Sequence, residues 1–290
     1  RKSFLIIAVF MAFIVGATYV MSVGFGYGLD IVGFAFIGGG LGSFISYYFS
    51  DKIILTISGA RPATRQEFFD FYTVTENLTM SQQMPMPKLY VIDDTAMNAF
   101  ATGRDPKHAV VCATTGLLAR LDRSEIEGVV AHELSHILNY DIRLMSLVTV
   151  MVGMIALLAD LMLRMSFWGG KKDNDRGSSQ LQMIFLVAGF VLALLSPIIA
   201  QLIQLAISRR REFLADATGA TLTKFPDGLA RALEKIALDK EPLEAANKAT
   251  AHLYISNPLK NVHGGVGWFA GMFNTHPPVE ERIKALRALK

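Results

Sequence analysis

Residues 132–136 read His-Glu-Leu-Ser-His, an H-E-x-x-H pattern within a stretch of helical character. In an α-helix, residues four apart lie roughly 40° apart around the axis and about 6 Å apart along it. His132 and His136 therefore share a face and can hold one metal ion. Zinc accepts neutral imidazole nitrogen readily. Glu133, about 100° round from His132, falls beside a metal-activated water rather than on the metal. Such a set can hydrolyse a peptide bond. The competing reading is a surface helix with two solvated histidines and a glutamate. Its flanks oppose that: Val129, Val130, Ala131, Ile137 and Leu138 are apolar, so the helix should be buried. Buried histidines and a buried glutamate are costly without partners, and a metal ion is a natural one.

A catalytic zinc takes three protein ligands and keeps one position open. The longer H-E-x-x-H-x-x-G-x-x-H pattern is absent, because positions 139 and 142 hold Asn139 and Ile142. Glu212 and Asp216 are four apart and would share a helix face. A glutamate can bind zinc, and an aspartate one turn on can hold a histidine's free N–H. An acidic pair neutralising Arg209, Arg210 and Arg211 fits equally well, and spacing alone leaves both open.

These residues must be positioned by an unusually apolar chain. Hydrophobic residues make up 52% and charged ones 18%, with a mean hydropathy of +0.37. The excess is gathered in four runs, 4–23, 31–49, 144–163 and 181–207. Each is about long enough to cross a hydrocarbon core of roughly 30 Å as a helix. Arg1 and Lys2 give the first run the basic start of a signal peptide, but its length and the lack of a cleavage site favour a span. Gly38, Gly39, Gly40 and Gly42 would permit close helix contact in a bilayer. Asp160 and Arg164 fall near the end of the third run, where they can pair or reach the interface. Lys52, Arg61, Arg65, Arg143 and Arg209 to Arg211 border the runs and belong on the cytoplasmic side, with 164–180 as the exception. We therefore expect a multi-pass membrane protein, both termini and the catalytic segment cytoplasmic. The net charge of +3 needs no nucleic-acid partner, and no basic-aromatic surface suggests one. The single Cys112 excludes an internal disulfide.

Between the runs, 65–78 has helical spacing, Met84-Pro85-Met86-Pro87 breaks the chain, and 88–92, 99–101 and 109–113 read as strands. Asp122 and Glu125 form a capping-box signature for a helix from about residue 123. That helix runs through the H-E-x-x-H toward the third run, with Asn139, Tyr140 and Asp141 as a bend. Residues 239–275 read as a long irregular loop, and Pro277 as the start of a last helix. The expected architecture is an α-helical membrane protein carrying a mixed α+β peptidase domain. It divides into an N-terminal transmembrane hairpin (1–50), a part with the catalytic helix (51–143), a second hairpin (144–207) and a part with the third ligand and last helix (208–290).

The chain resembles the HtpX-type membrane zinc metallopeptidases, bacterial relatives of the eukaryotic CAAX prenyl proteases. The resemblance rests on the paired N-terminal runs, Met86-Pro87-Lys88, Asn98-Ala99-Phe100-Ala101-Thr102-Gly103, the H-E-x-x-H, Arg211-Glu212-Phe213-Leu214-Ala215-Asp216, and Thr275-His276-Pro277-Pro278 with Glu281-Arg282-Ile283. It implies a gluzincin fold with one zinc on His132, His136 and Glu212. Glu133 is then the general base and later the proton donor, and Asp216 steadies a ligand. It further implies that Asn98, Ala99 and Phe100 belong to an edge strand that pairs with extended substrate. His276 and Arg282 are implied to approach the site and stabilise the oxyanion, although from the residues alone His276 reads as a helix-start residue. The implied substrates are unfolded, misfolded or damaged membrane polypeptides in the bilayer. A prenyl-peptide protease would need more spans than four. A proteolytically silent zinc-binding scaffold would have no use for Glu133. His108, His252 and His263 match no ligand pattern.

Overall fold

The computed structural model describes residues 30–150, 209–239 and 277–289, together with 8, 12, 15, 16, 19, 187, 241, 243 and 253–255. The second apolar run lies in helix α1, Asp30–Ile57, which continues unbroken past residue 50. Most of the first, third and fourth runs lies outside the described residues. Among the described residues no helix is long and apolar enough to cross a membrane.

Four strands form one mixed sheet in the order β1-β2-β4-β3. β1 (Arg61–Pro62) runs antiparallel to β2 (Lys88–Ile92). β2 is parallel to β4 (Ala109–Thr114), with Lys88 opposite Val110 and Ile92 opposite Thr114. β3 (Ala99–Gly103) closes the sheet as an edge, antiparallel to β4, with Phe100 opposite Cys112. Two of the short apolar runs seen in the sequence are fully buried strands, since every residue of β3 and β4 is buried, whereas β2 leaves Lys88 exposed and Tyr90 half-buried. Cys112, in β4, is a free and buried thiol.

Helix α2, Phe69–Ser81, starts later than the spacing of 65–78 predicted. Its would-be first turn is held elsewhere. Arg61 grips Glu67 through Nη1 and Nη2 at 2.9 and 2.6 Å, and Thr64 Oγ1 accepts from the Glu67 N–H. A short α3 (Thr115–Arg120) follows β4, capped by the Thr114 hydroxyl. Helix α4, Arg123–Leu138, carries the H-E-x-x-H. Its start is the expected capping box: Asp122 Oδ1 accepts from the Glu125 N–H at 2.9 Å, and Glu125 Oε2 accepts from the Asp122 N–H at 2.8 Å. Helix α5 spans Arg209–Thr223, α6 Pro226–Leu238 and α7 Val279–Ala288. The last helix starts after Pro277 and Pro278 rather than at them, because Pro278 takes an extended ψ of 135°.

α4 is the hub. It packs against α2, α5, α6 and the β3–β4 side of the sheet. Two glycines allow its neighbours near. A Cβ on Gly128 would meet Leu229 N of α6 at 2.5 Å, and one on Gly219 of α5 would lie 3.1 Å from His132 N. The second contact matters most, because it sets the acidic face of α5 against the histidine face of α4.

Candidate active site

His132, Glu133, His136, Glu212, Asp216 and Arg282 are all buried, and they come from α4, α5 and α7. His132 Nε2 and His136 Nε2 stand 3.2 Å apart. Glu212 Oε1 is 3.5 Å from His136 Nε2, and its Oε2 is 3.8 Å from His132 Nε2. One ligand atom from each of the three lies within 4.8 Å of the others, the only such buried group among the described residues.

The outer nitrogens show what the inner ones are for. His132 Nδ1 lies 2.9 Å from Asp216 Oδ1, and His136 Nδ1 lies 3.3 Å from Asp141 Oδ2. A carboxylate only accepts, so each Nδ1 carries the hydrogen. Both Nε2 atoms then face each other and Glu212, and something positive must lie among them. Zinc–ligand bonds of about 2.0–2.1 Å in tetrahedral array would place ligand atoms about 3.3 Å apart. The three donors fit such an ion in both chemistry and spacing.

Charge around the site is sharply structured. Burial pushes the Glu133 carboxyl up, with the Glu212 charge adding and His136 and Arg282 opposing, to about 7. Burial opposes protonation of His136, but Asp141, Glu212 and Glu133 outweigh it and hold the imidazole up at about 9. An imidazole this basic is a strong donor, and a divalent cation competes with the proton for it. Burial lowers His132, helped by the charge on Arg282. Burial works against ionised Asp216, but Arg282 prevails and holds it down near 2.

Arg282 is fully buried and grips Asp216 with two bonds, Nε to Oδ2 at 2.8 Å and Nη2 to Oδ1 at 2.7 Å. Its Nη2 approaches His132 from the Nδ1 side, at 3.4 Å. Its Nη1 lies 3.9 Å from Glu212 Oε2 and donates to Ile255 O at 3.3 Å, so the guanidinium reaches from behind His132 to the ligand carboxylate. His276 lies outside the described residues. His108 is half exposed and bound to Asp105.

Asn98 directly precedes β3 and is buried, its Oδ1 accepting from the Ala99 N–H at 3.1 Å. Ala99 and Phe100 begin the edge strand, as expected. That edge already has partners within the chain. Ala99 O accepts from the Ile255 N–H at 2.9 Å, Ala101 N–H donates to Glu133, and Gly103 N–H donates to Ser146 Oγ at 3.1 Å. The Phe100 ring meets Tyr254 edge-on, with centroids 5.1 Å apart.

The sequence marks Asp141 as part of a bend, and Arg211 as a basic border and the first residue of the Arg211–Asp216 motif, with no site role for either. Asp141 reaches the site because Tyr140 adopts a left-handed φ of 58°, and Arg211 reaches it from the first turn of α5. α4 stops, and the next helical stretch begins at Asp141, turned back toward His136. A tyrosine at that φ has no sequence signal of the kind a glycine gives.

Comparison with known proteins agrees with this geometry. Residues 66–290 match the model of Peptidase family M48. A "Protease HtpX homolog" of Caldanaerobacter subterraneus subsp. tengcongensis is 44% identical over 291 residues, covering 100% of this chain and 95% of that protein. One from Thermoanaerobacter pseudethanolicus is 43% identical over 294 residues with the same coverage, and one from Dictyoglomus thermophilum is 48% identical over 249 residues, covering 85% of this chain and 78% of that protein. Among solved structures, Ste24p of S. mikatae aligns with a TM-score of 0.47 and 20% identity, over 97% of this chain and 65% of that one. With two imidazoles and a carboxylate converging on one point, and relatives this similar along the whole chain, the protein belongs to peptidase family M48, among its HtpX-type members, and is a metallopeptidase.

Proposed function

We propose that the chain is an integral-membrane zinc endopeptidase that cleaves misfolded or damaged membrane proteins on the cytoplasmic side of a bacterial inner membrane. The carrying observation is the convergence of His132, His136 and Glu212 with Glu133 alongside. The four apolar runs of the sequence support the membrane placement, as two hairpins flanking the peptidase parts. The bordering Lys and Arg residues support a cytoplasmic site. A cysteine at Asn174, labelled from either side of sealed vesicles, tests this: labelling only from the cytoplasmic face would reverse that stretch.

Zinc bound there would supply Lewis-acid polarisation of the scissile carbonyl and acidify a water. His132, His136 and Glu212 would hold it. Glu133, buried beside the three ligands, would take a proton from a water and return it to the leaving amine. The Ala101 N–H bound to its carboxylate aims it. Asp216 and Arg282 keep the His132 ring fixed, so its Nε2 faces inward. An extended polypeptide would pair with the outer edge of β3, and the 253–255 segment on Ala99 must yield for it to do so.

The decisive variant is Glu133→Gln in the full chain in detergent. Casein cleavage should fall by about 10²–10⁴-fold, while zinc content stays at the parent level. Full activity in that variant would overturn the mechanism. Cleavage of a prenylated peptide in preference to unfolded membrane protein would overturn the substrate class.

A further inference from the structure

We infer that Asp141 and Arg211 form a positioning couple for His136, an inference that rests on His132, His136 and Glu212 being the metal ligands. His136 can offer Nε2 to a metal only if its Nδ1 keeps the hydrogen and its ring is prevented from turning. Asp141 Oδ2, 3.3 Å from Nδ1, fixes that tautomer. Asp141 is itself held, because its Oδ1 accepts from Arg211 Nη1 at 2.9 Å.

Three features make the couple more than a chance ion pair. The left-handed φ of 58° at Tyr140 is what brings Asp141 back to the histidine five residues before it. A non-glycine residue is disfavoured there, so the surrounding packing enforces it. Asp141 is 8% exposed, although it lies just past the end of α4. Arg211 directly precedes Glu212 in the first turn of α5, so one helix end supplies both a ligand and the anchor of another ligand. Asp141 and Arg211 also stand at the two ends of the 144–207 stretch.

The test is zinc affinity by chelator competition on the full chain in detergent, together with the visible spectrum of the cobalt(II)-loaded form. Asp141→Asn should weaken zinc by about 10–100-fold and move the cobalt bands. Arg211→Gln should weaken it by a smaller factor, and Arg211→Lys should restore the parent value. Unchanged zinc affinity and cobalt spectrum in Asp141→Asn, with only the melting temperature lowered, would overturn the couple and leave a plain structural ion pair. If Asp141→Asn does not fold, Arg211→Gln decides on the same two readings. A parent chain that binds neither metal would sink the ligand assignment itself, a result distinct from either.

Discussion

His132 and His136 each turn one nitrogen toward the same small volume and the other toward an aspartate that an arginine holds, yet the two arms are built at different depths. Behind His132, Asp216 and Arg282 share two short bonds and are sealed from solvent, with side-chain exposures of 3% and 0%. Behind His136, Asp141 and Arg211 share one bond of 2.9 Å, with exposures of 10% and 19%. A buried forked pair is costly to break, because the survivor is an uncompensated charge in a medium that cannot solvate it. A rim pair can lose a partner to water. The first arm should therefore be a condition of folding, and the second an adjustable support.

The sharpest way to break that contrast is to remove each aspartate. Asp216→Ala should cost about 3–5 kcal/mol, enough to prevent accumulation of folded protein. Asp141→Ala should cost about 1–2 kcal/mol and leave a folded chain, read by thermal melting in detergent. Equal losses would mean that depth is not what separates the arms.

Protons offer a second lever. Glu133 is held up at about 7, against about 4.3 for an ordinary glutamate. Its contribution to stability is intact below about pH 4 and is lost as pH rises through 7. In chelator-treated protein Glu133→Gln should therefore melt higher than the parent above pH 7, by up to about 3 kcal/mol, and equally with it near pH 4. Asp216, held down near 2, has the opposite sign: its contribution is present above about pH 4 and fades as pH falls toward 2. A gain for Glu133→Gln that is the same at pH 4 and pH 8 would contradict the burial of that carboxyl.

Conservative exchange should sharpen the contrast further. Arg282→Lys loses the planar fork and should cost about 2 kcal/mol, whereas Arg211→Lys should stay within about 0.5 kcal/mol. The smallest effect is expected at the β3 edge. Ile255→Pro removes the N–H on Ala99 O and should raise kcat/KM on unfolded polypeptide by a few-fold, consistent with one hydrogen bond of about 1 kcal/mol. No rise would indicate that 253–255 does not compete with substrate.

Much of the site was legible before folding because it is local. The H-E-x-x-H and the Glu212–Asp216 pair are read from helical period, and the start of α4 from a capping box that Asp122 and Glu125 do form. The strands 88–92 and 109–113 are visible as short apolar runs between breakers, the second extending one residue further in the structure. β1, only Arg61 and Pro62, gave no periodic signal, because two residues cannot show one. The late start of α2 was hidden for a different reason: Arg61, outside the window, holds Glu67 in a turn.

What the chain dictated by itself is the direction of each side chain within its own helix, since backbone geometry sets that at every turn. Which helix face meets which is another matter. The approach of Gly219 to His132, the fork of Arg282 on Asp216 and the return of Asp141 through Tyr140 join residues that no periodicity links. They exist only once the helices are packed, because each is fixed by the shape and charge of a distant partner.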